Sequence, residues 1–180
     1  MMAIFSRLRR KTVPAAVKSC LTSSDRVFEF LPIDSNRFLL VTMRALFVID
    51  CGENRACESE AQVQRYGWYQ IANARWDSEN GTLRIVFHEG EDLLISPAQA
   101  PGYGFMDIIR EALSETQVFA TPLQLPSRQR VTAQILRDDN RNLYLYPPIS
   151  SFENYADQQY LCSAVCEWEQ KLGVTVRFED

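Results

Sequence analysis

A chain of 180 residues with 46% hydrophobic and 23% charged side chains can bury a core of ordinary size, which excludes a disordered or low-complexity class. Its net charge of −4 is unevenly spread: residues 1–18 carry Arg7, Arg9, Arg10, Lys11 and Lys18 and no acid, +5, so residues 19–180 sum to −9. An acidic body of that kind repels a phosphate backbone, which argues against nucleic acid as a partner.

The five cysteines, Cys20, Cys51, Cys57, Cys162 and Cys166, are odd in number and include no C-x-x-C pair. They read as reduced thiols in a cytoplasmic protein and not as a disulfide framework. No apolar run approaches the ~18 residues of a membrane span. The basic N-terminus lacks the apolar stretch and small-residue cleavage site of a secretory signal.

In chain order, residues 1–11 place Met1, Ile4, Phe5 and Leu8 on one helical stripe with arginines opposite. Such a stripe suits a membrane surface or a docking partner, but eleven residues make a marginal helix in water, and a frayed basic tail is the plainer reading. Pro14 suits the first turn of a short helix over AAVKSCL (15–21). Seven strand-like runs follow: 26–33, 37–43, 45–50, 62–67, 72–78, 82–88 and 92–96. Residues 54–61 are polar and fit no element. Asn80-Gly81 is the strongest hairpin dipeptide. After Pro97 and Pro101, FMDIIREALSE (105–115) sets Phe105, Ile108, Ile109 and either Ala112 or Leu113 on one helical face.

Beyond this point the pattern restarts. VFATPLQL (118–125) is strand-like, and RVTAQIL (130–136) and NLYLYPP (142–148) form a hairpin about Asp138-Asp139-Asn140. The clearest helix spans 153–172, with Tyr155, Leu161, Val165, Trp168 and Leu172 as its apolar face and Gly173 as its stop. VTVRF (174–178) is a last strand. Three segments result: a basic N-terminal segment, 1–24; a strand-rich domain, 25–117; and a C-terminal α+β unit, 118–180.

Thr42, Ala45 and Leu46 form a T-x-x-A-L step, and Trp68, Ile71, Ala74, Trp76 and Asp77 form W-x-x-I-x-x-A-x-W-D. With the order of seven strands and a helix, these residues resemble a family of uncharacterised bacterial proteins with a pleckstrin-homology-like (PH-like) domain, over about residues 37–116. The resemblance implies an α+β fold: a seven-stranded PH-like β-barrel capped by a helix, followed by a small α+β extension. It implies no activity. Trp68 and Ile71, three apart, can share a turn facing the core, and Ala74 and Trp76, two apart, point to one side of a strand. Asp77 stands where its carboxylate can accept turn N–H groups. Both tryptophans read as core and not as a ligand-stacking pair.

Candidate chemistry is sparse. His88 is the only histidine, so a serine or cysteine nucleophile would have to use it; it reads as a surface turn residue. One histidine and scattered cysteines give no tetrahedral metal set, and no cofactor motif occurs. Cys162 and Cys166, i and i+4 on a helix, read as small buried residues. Pro101-Gly102-Tyr103-Gly104 lacks the third glycine and lysine of a phosphate loop and reads as a connection. Glu89, Glu91, Asp92, Asp138 and Asp139 fall in turns. The loop Asp34-Ser35-Asn36 is not the basic loop of inositol-lipid-binding PH domains.

The expectation is thus a non-enzymatic, cytoplasmic binding or interaction protein with a protein or peptide partner, and Tyr66, Tyr69 and Tyr103 are the candidate contacts. Two alternatives stand beside it. One is a small-ligand protein or enzyme using a cleft between the two domains, which would bring His88 or Cys166 beside a carboxylate. The other is peripheral membrane attachment through residues 1–11. Self-association by edge pairing is open.

Overall fold

The computed structural model describes residues 17, 21, 26–52 and 62–178. The stripe at 1–11, Cys20, Cys57 and residues 54–61 lie outside them, as does the short helix expected at 15–21 apart from Val17 and Leu21. The chain divides into two compact units, residues 1–114 and 115–180.

In the first unit, β1 (Val27–Pro32), β2 (Arg37–Thr42), β3 (Ala45–Asp50) and β4 (Gln62–Gly67) form an antiparallel sheet in sequence order. The runs RFLLVT and ALFVID do not alternate apolar with polar, because β2 and β3 bury side chains on both faces of the sheet. Leu39, Val41 and Leu46 face one cluster; Leu40, Ala45, Phe47 and Ile49 face another that contains Val17. A bulge between Val27 and Glu29 shifts the register of β1. A 3-10 turn, Trp68–Gln70, leads into a second antiparallel sheet of β5 (Ile71–Asp77), β6 (Thr82–Phe87) and β7 (Leu93–Ile95).

The expected seven-stranded barrel does not form. The seven strands make two open sheets of four and three, and the remaining four make a third. A backbone bond does reach from the end of the second sheet to the first, Ala98 N–H to the Pro32 carbonyl at 3.1 Å. Pro32 and Pro97 have no N–H with which to extend it into a ladder. What unites the unit is side-chain packing. Phe28 and Leu31, Ile71 and Ala74, Leu83 and Ile85, and Phe105, Ile108, Ile109 and Ala112 of α1 (Phe105–Thr116) all join one cluster.

The motif residues act as fasteners within this packing. The Thr42 hydroxyl donates to the Ala45 carbonyl at 2.9 Å and accepts the Ala45 N–H at 3.1 Å, closing the β2–β3 turn. The Trp68 indole N–H donates to the Thr42 carbonyl at 3.1 Å, joining the two halves of the motif across 26 residues. Trp68 and Ile71 are 2% and 3% exposed. Trp76, expected in the core, is only half-buried and packs against its margin. Asp77 accepts the N–H groups of Glu79 and Asn80, so the β5–β6 connection is a four-residue loop, 78–81, and not a two-residue Asn-Gly turn. These bonds, led by the Asn80 side chain, hold the Asp77 carboxyl below its usual range.

In the second unit, β8 (Gln117–Gln124), β9 (Arg130–Arg137), β10 (Leu143–Tyr146) and β11 (Val176–Arg177) form a sheet ordered β11-β10-β9-β8. Strands β10 and β11 are parallel, and α2 (Tyr155–Leu172) makes the crossover between them. The Asn154 side chain caps α2 by accepting the Ala156 N–H, and Gly173, at φ 67°, ends it in the left-handed conformation that glycine adopts without strain. Ala133, Ile135, Leu143, Leu145, Val165 and Trp168 fill the core, with the Trp168 ring tilted on Phe119 at 5.2 Å. The buried stripe of α2 departs from the expected face: it runs Asp157, Leu161, Val165, Trp168, while Tyr155 and Leu172 are exposed. Cys162 and Cys166, expected to be buried, are exposed.

Candidate functional site

Two connections in the second unit face each other. The β8–β9 loop turns at Arg128, where Leu125 accepts the Arg128 N–H at 2.8 Å and donates to the Gln129 carbonyl at 2.9 Å. After β10, Pro147 and Pro148 lead into a 3-10 turn, Ile149–Ser151, then through Phe152 and Glu153 into the first turn of α2. Between these walls lies a cleft of about 490 Å³, lined by residues between Ser127 and Asp157. That is within the size range of small-ligand sites, roughly 300–1,000 Å³.

Most polar groups of the cleft are engaged in holding its walls. The Ser151 hydroxyl donates to the Pro148 carbonyl at 2.7 Å, and the Gln158 side chain donates to the Phe152 carbonyl at 2.6 Å. The Ser127 hydroxyl accepts the Gln129 N–H at 3.4 Å. Asp157 is the centre of the arrangement. It is 2% exposed, and its Oδ1 accepts the Ser127 N–H at 2.9 Å, which ties the β8–β9 loop to α2 across 30 residues. No described residue donates to its Oδ2. Nor is Oδ2 an atom sealed from solvent without a partner; among the described residues that is the state of Glu111 Oε2.

The residues singled out from sequence lie elsewhere. Tyr66 is half-buried on β4, its ring tilted against Phe87 at 4.9 Å and its hydroxyl donating to Gln64 Oε1 at 3.1 Å. Tyr69 is half-buried, with its ring over Gly67; a Cβ on Gly67 would lie 2.5 Å from Tyr69 Cε1, so any larger residue there would push the ring aside. Tyr103 is fully exposed in the turn before α1. None of the three lines the cleft.

His88, expected as a surface residue, is half-buried at the end of β6, and burial pushes its pKa below the ordinary imidazole value. It belongs to the first unit, whereas Cys166 belongs to the second, and neither lines the cleft. Among the described residues no group of three or more His, Cys, Asp or Glu is placed to hold a metal ion, and no helix is long and apolar enough to cross a membrane.

Sequence reasoning missed the cleft because its walls come from segments far apart in the chain. One signal was present: Asp157 stands on the i, i+4, i+8, i+11 stripe with Leu161, Val165 and Trp168, an acid in register with the buried face. No protein-family model, curated protein or solved structure matches the chain.

Proposed function

We propose that the chain is a non-enzymatic binding protein whose ligand occupies the cleft of the C-terminal unit. The observation that carries this reading is a pocket of about 490 Å³ built around a buried carboxylate. The two serines of its wall point to binding and away from catalysis: one hydroxyl is bonded to a backbone carbonyl and the other to a backbone N–H, not to a base that would activate it. A cytoplasmic location belongs to the same proposal, supported by Cys162 and Cys166, both free and exposed on α2, a state that a reducing compartment preserves. Kinship with the bacterial family that the motif resembles is also part of it. Its support is the bonding of Thr42 to Trp68, not a closed barrel.

The test is a small-fragment screen on the full chain, followed by amide chemical shifts. The expected result is a set of fragments whose perturbations converge on residues 127–131 and 151–157. A screen whose hits map elsewhere, or that returns none, overturns the proposal.

A further inference from the structure

Resting on that reading, we infer that the cleft takes a cationic nitrogen on an alkyl stem, a guanidinium or primary ammonium group, seated on the free oxygen of Asp157. Three observations converge. The first is the unfinished bonding of Asp157: the residue is 2% exposed, Oδ1 is committed to the Ser127 N–H, and Oδ2 has no donor among the described residues although it is not sealed away. A carboxylate held this far from bulk water is stabilised by a charged donor more than by a neutral one.

The second is charge. Glu153 and Asp157 both line the cleft and no lysine or arginine does; Arg128, beside Ser127, is exposed and outside the lining. The N-terminus of α2 opposes them with about half a positive charge, less than two carboxylates carry. A multivalent metal ion fits less well, because it favours several charged oxygen ligands at once, and no group of three or more His, Cys, Asp or Glu gathers among the described residues. The third is the apolar part of the lining, Val131, Pro147 and Phe152. These suit the methylenes of an alkyl stem.

The experiment titrates the full chain with four probes: n-butylguanidine, a pentapeptide with a central arginine, n-butylurea as the neutral isostere, and valerate as the anion. Butylguanidine or the arginine peptide is expected to shift the Ser127 amide and those of residues 151–157, with the urea and valerate silent. The stronger of the two cations shows whether the site prefers a free small molecule or a peptide side chain.

Asp157→Asn keeps an oxygen for the Ser127 N–H, so its melting temperature is expected to hold while cation affinity falls at least about tenfold. Glu153→Gln, at an exposed position, is expected to weaken the same titration by a smaller factor. Silence of both cations, or an Asp157→Asn variant that binds them unchanged, overturns the inference. If butylurea or valerate shifts these amides while the cations do not, the inference falls and the cleft reading stands. If none of the four does, both fall.

Discussion

Thr42 in the N-terminal unit and Asp157 in the C-terminal unit are both buried polar residues, and the two units use them differently. Thr42 is 0% exposed with hydroxyl and carbonyl both bonded, the one to Ala45 and the other to the Trp68 indole. Asp157 is 2% exposed and lines a cleft, with one oxygen bonded and the other without a donor among the described residues. A buried polar group with every bond made is a fastener, and its value is stability. One left half-satisfied beside a cavity can take a further donor, and a charged donor stabilises a carboxylate more than a neutral one. By that criterion the tryptophan-rich motif is scaffold, and the ligand site we propose falls in the plainer C-terminal sequence.

Substitutions and pH can break or sharpen this contrast. The largest effect is expected from Trp68→Ala, which empties a position shared by both sheets of the first unit and removes the bond to Thr42. It should cost about 3–5 kcal/mol in chemical denaturation, and an unchanged midpoint would remove Trp68 from the scaffold. Thr42→Val preserves shape but strands the Ala45 N–H and carbonyl in a buried turn. A loss of about 1–3 kcal/mol is expected; a neutral result would mean that the turn does not depend on its hydroxyl.

The smallest effect is that of pH on His88. Because burial depresses its pKa in the folded state, the unfolded chain takes up the proton first as pH falls. The His88 contribution should therefore be fully present above about pH 6.5, the unperturbed value, and be lost progressively below it. Comparing unfolding curves of the wild type and His88→Gln between pH 7.5 and 5 isolates it. Identical pH dependence in the two would mean that His88 does not couple to folding.

Much of the secondary structure was legible because its signals are local. The runs at 62–67 and 82–88 became β4 and β6 with ends shifted by at most one residue, and Gly173 ended α2 where a left-handed stop was required. Barrel closure was not legible, because it depends on whether distant strand edges pair, and no run of residues encodes that. The exposure of Cys162 and Cys166 was misread for a related reason. Both lie off the line of Leu161, Val165 and Trp168, and a short residue type says less about burial than its angular position on the helix. Tyr103 is exposed, but nothing brings Tyr66 and Tyr69 into the pocket found.

From its residues alone, this chain determined the order and approximate place of its strands and its two long helices, and that Trp68 would be buried, since periodicity and capping act over a few residues. The tertiary structure alone decided that seven strands would split into two sheets, and that Ser127, Phe152 and Asp157 would enclose a cleft. Those outcomes follow from contacts between segments tens of residues apart, where prolines end a ladder and a single carboxylate joins a loop to a helix.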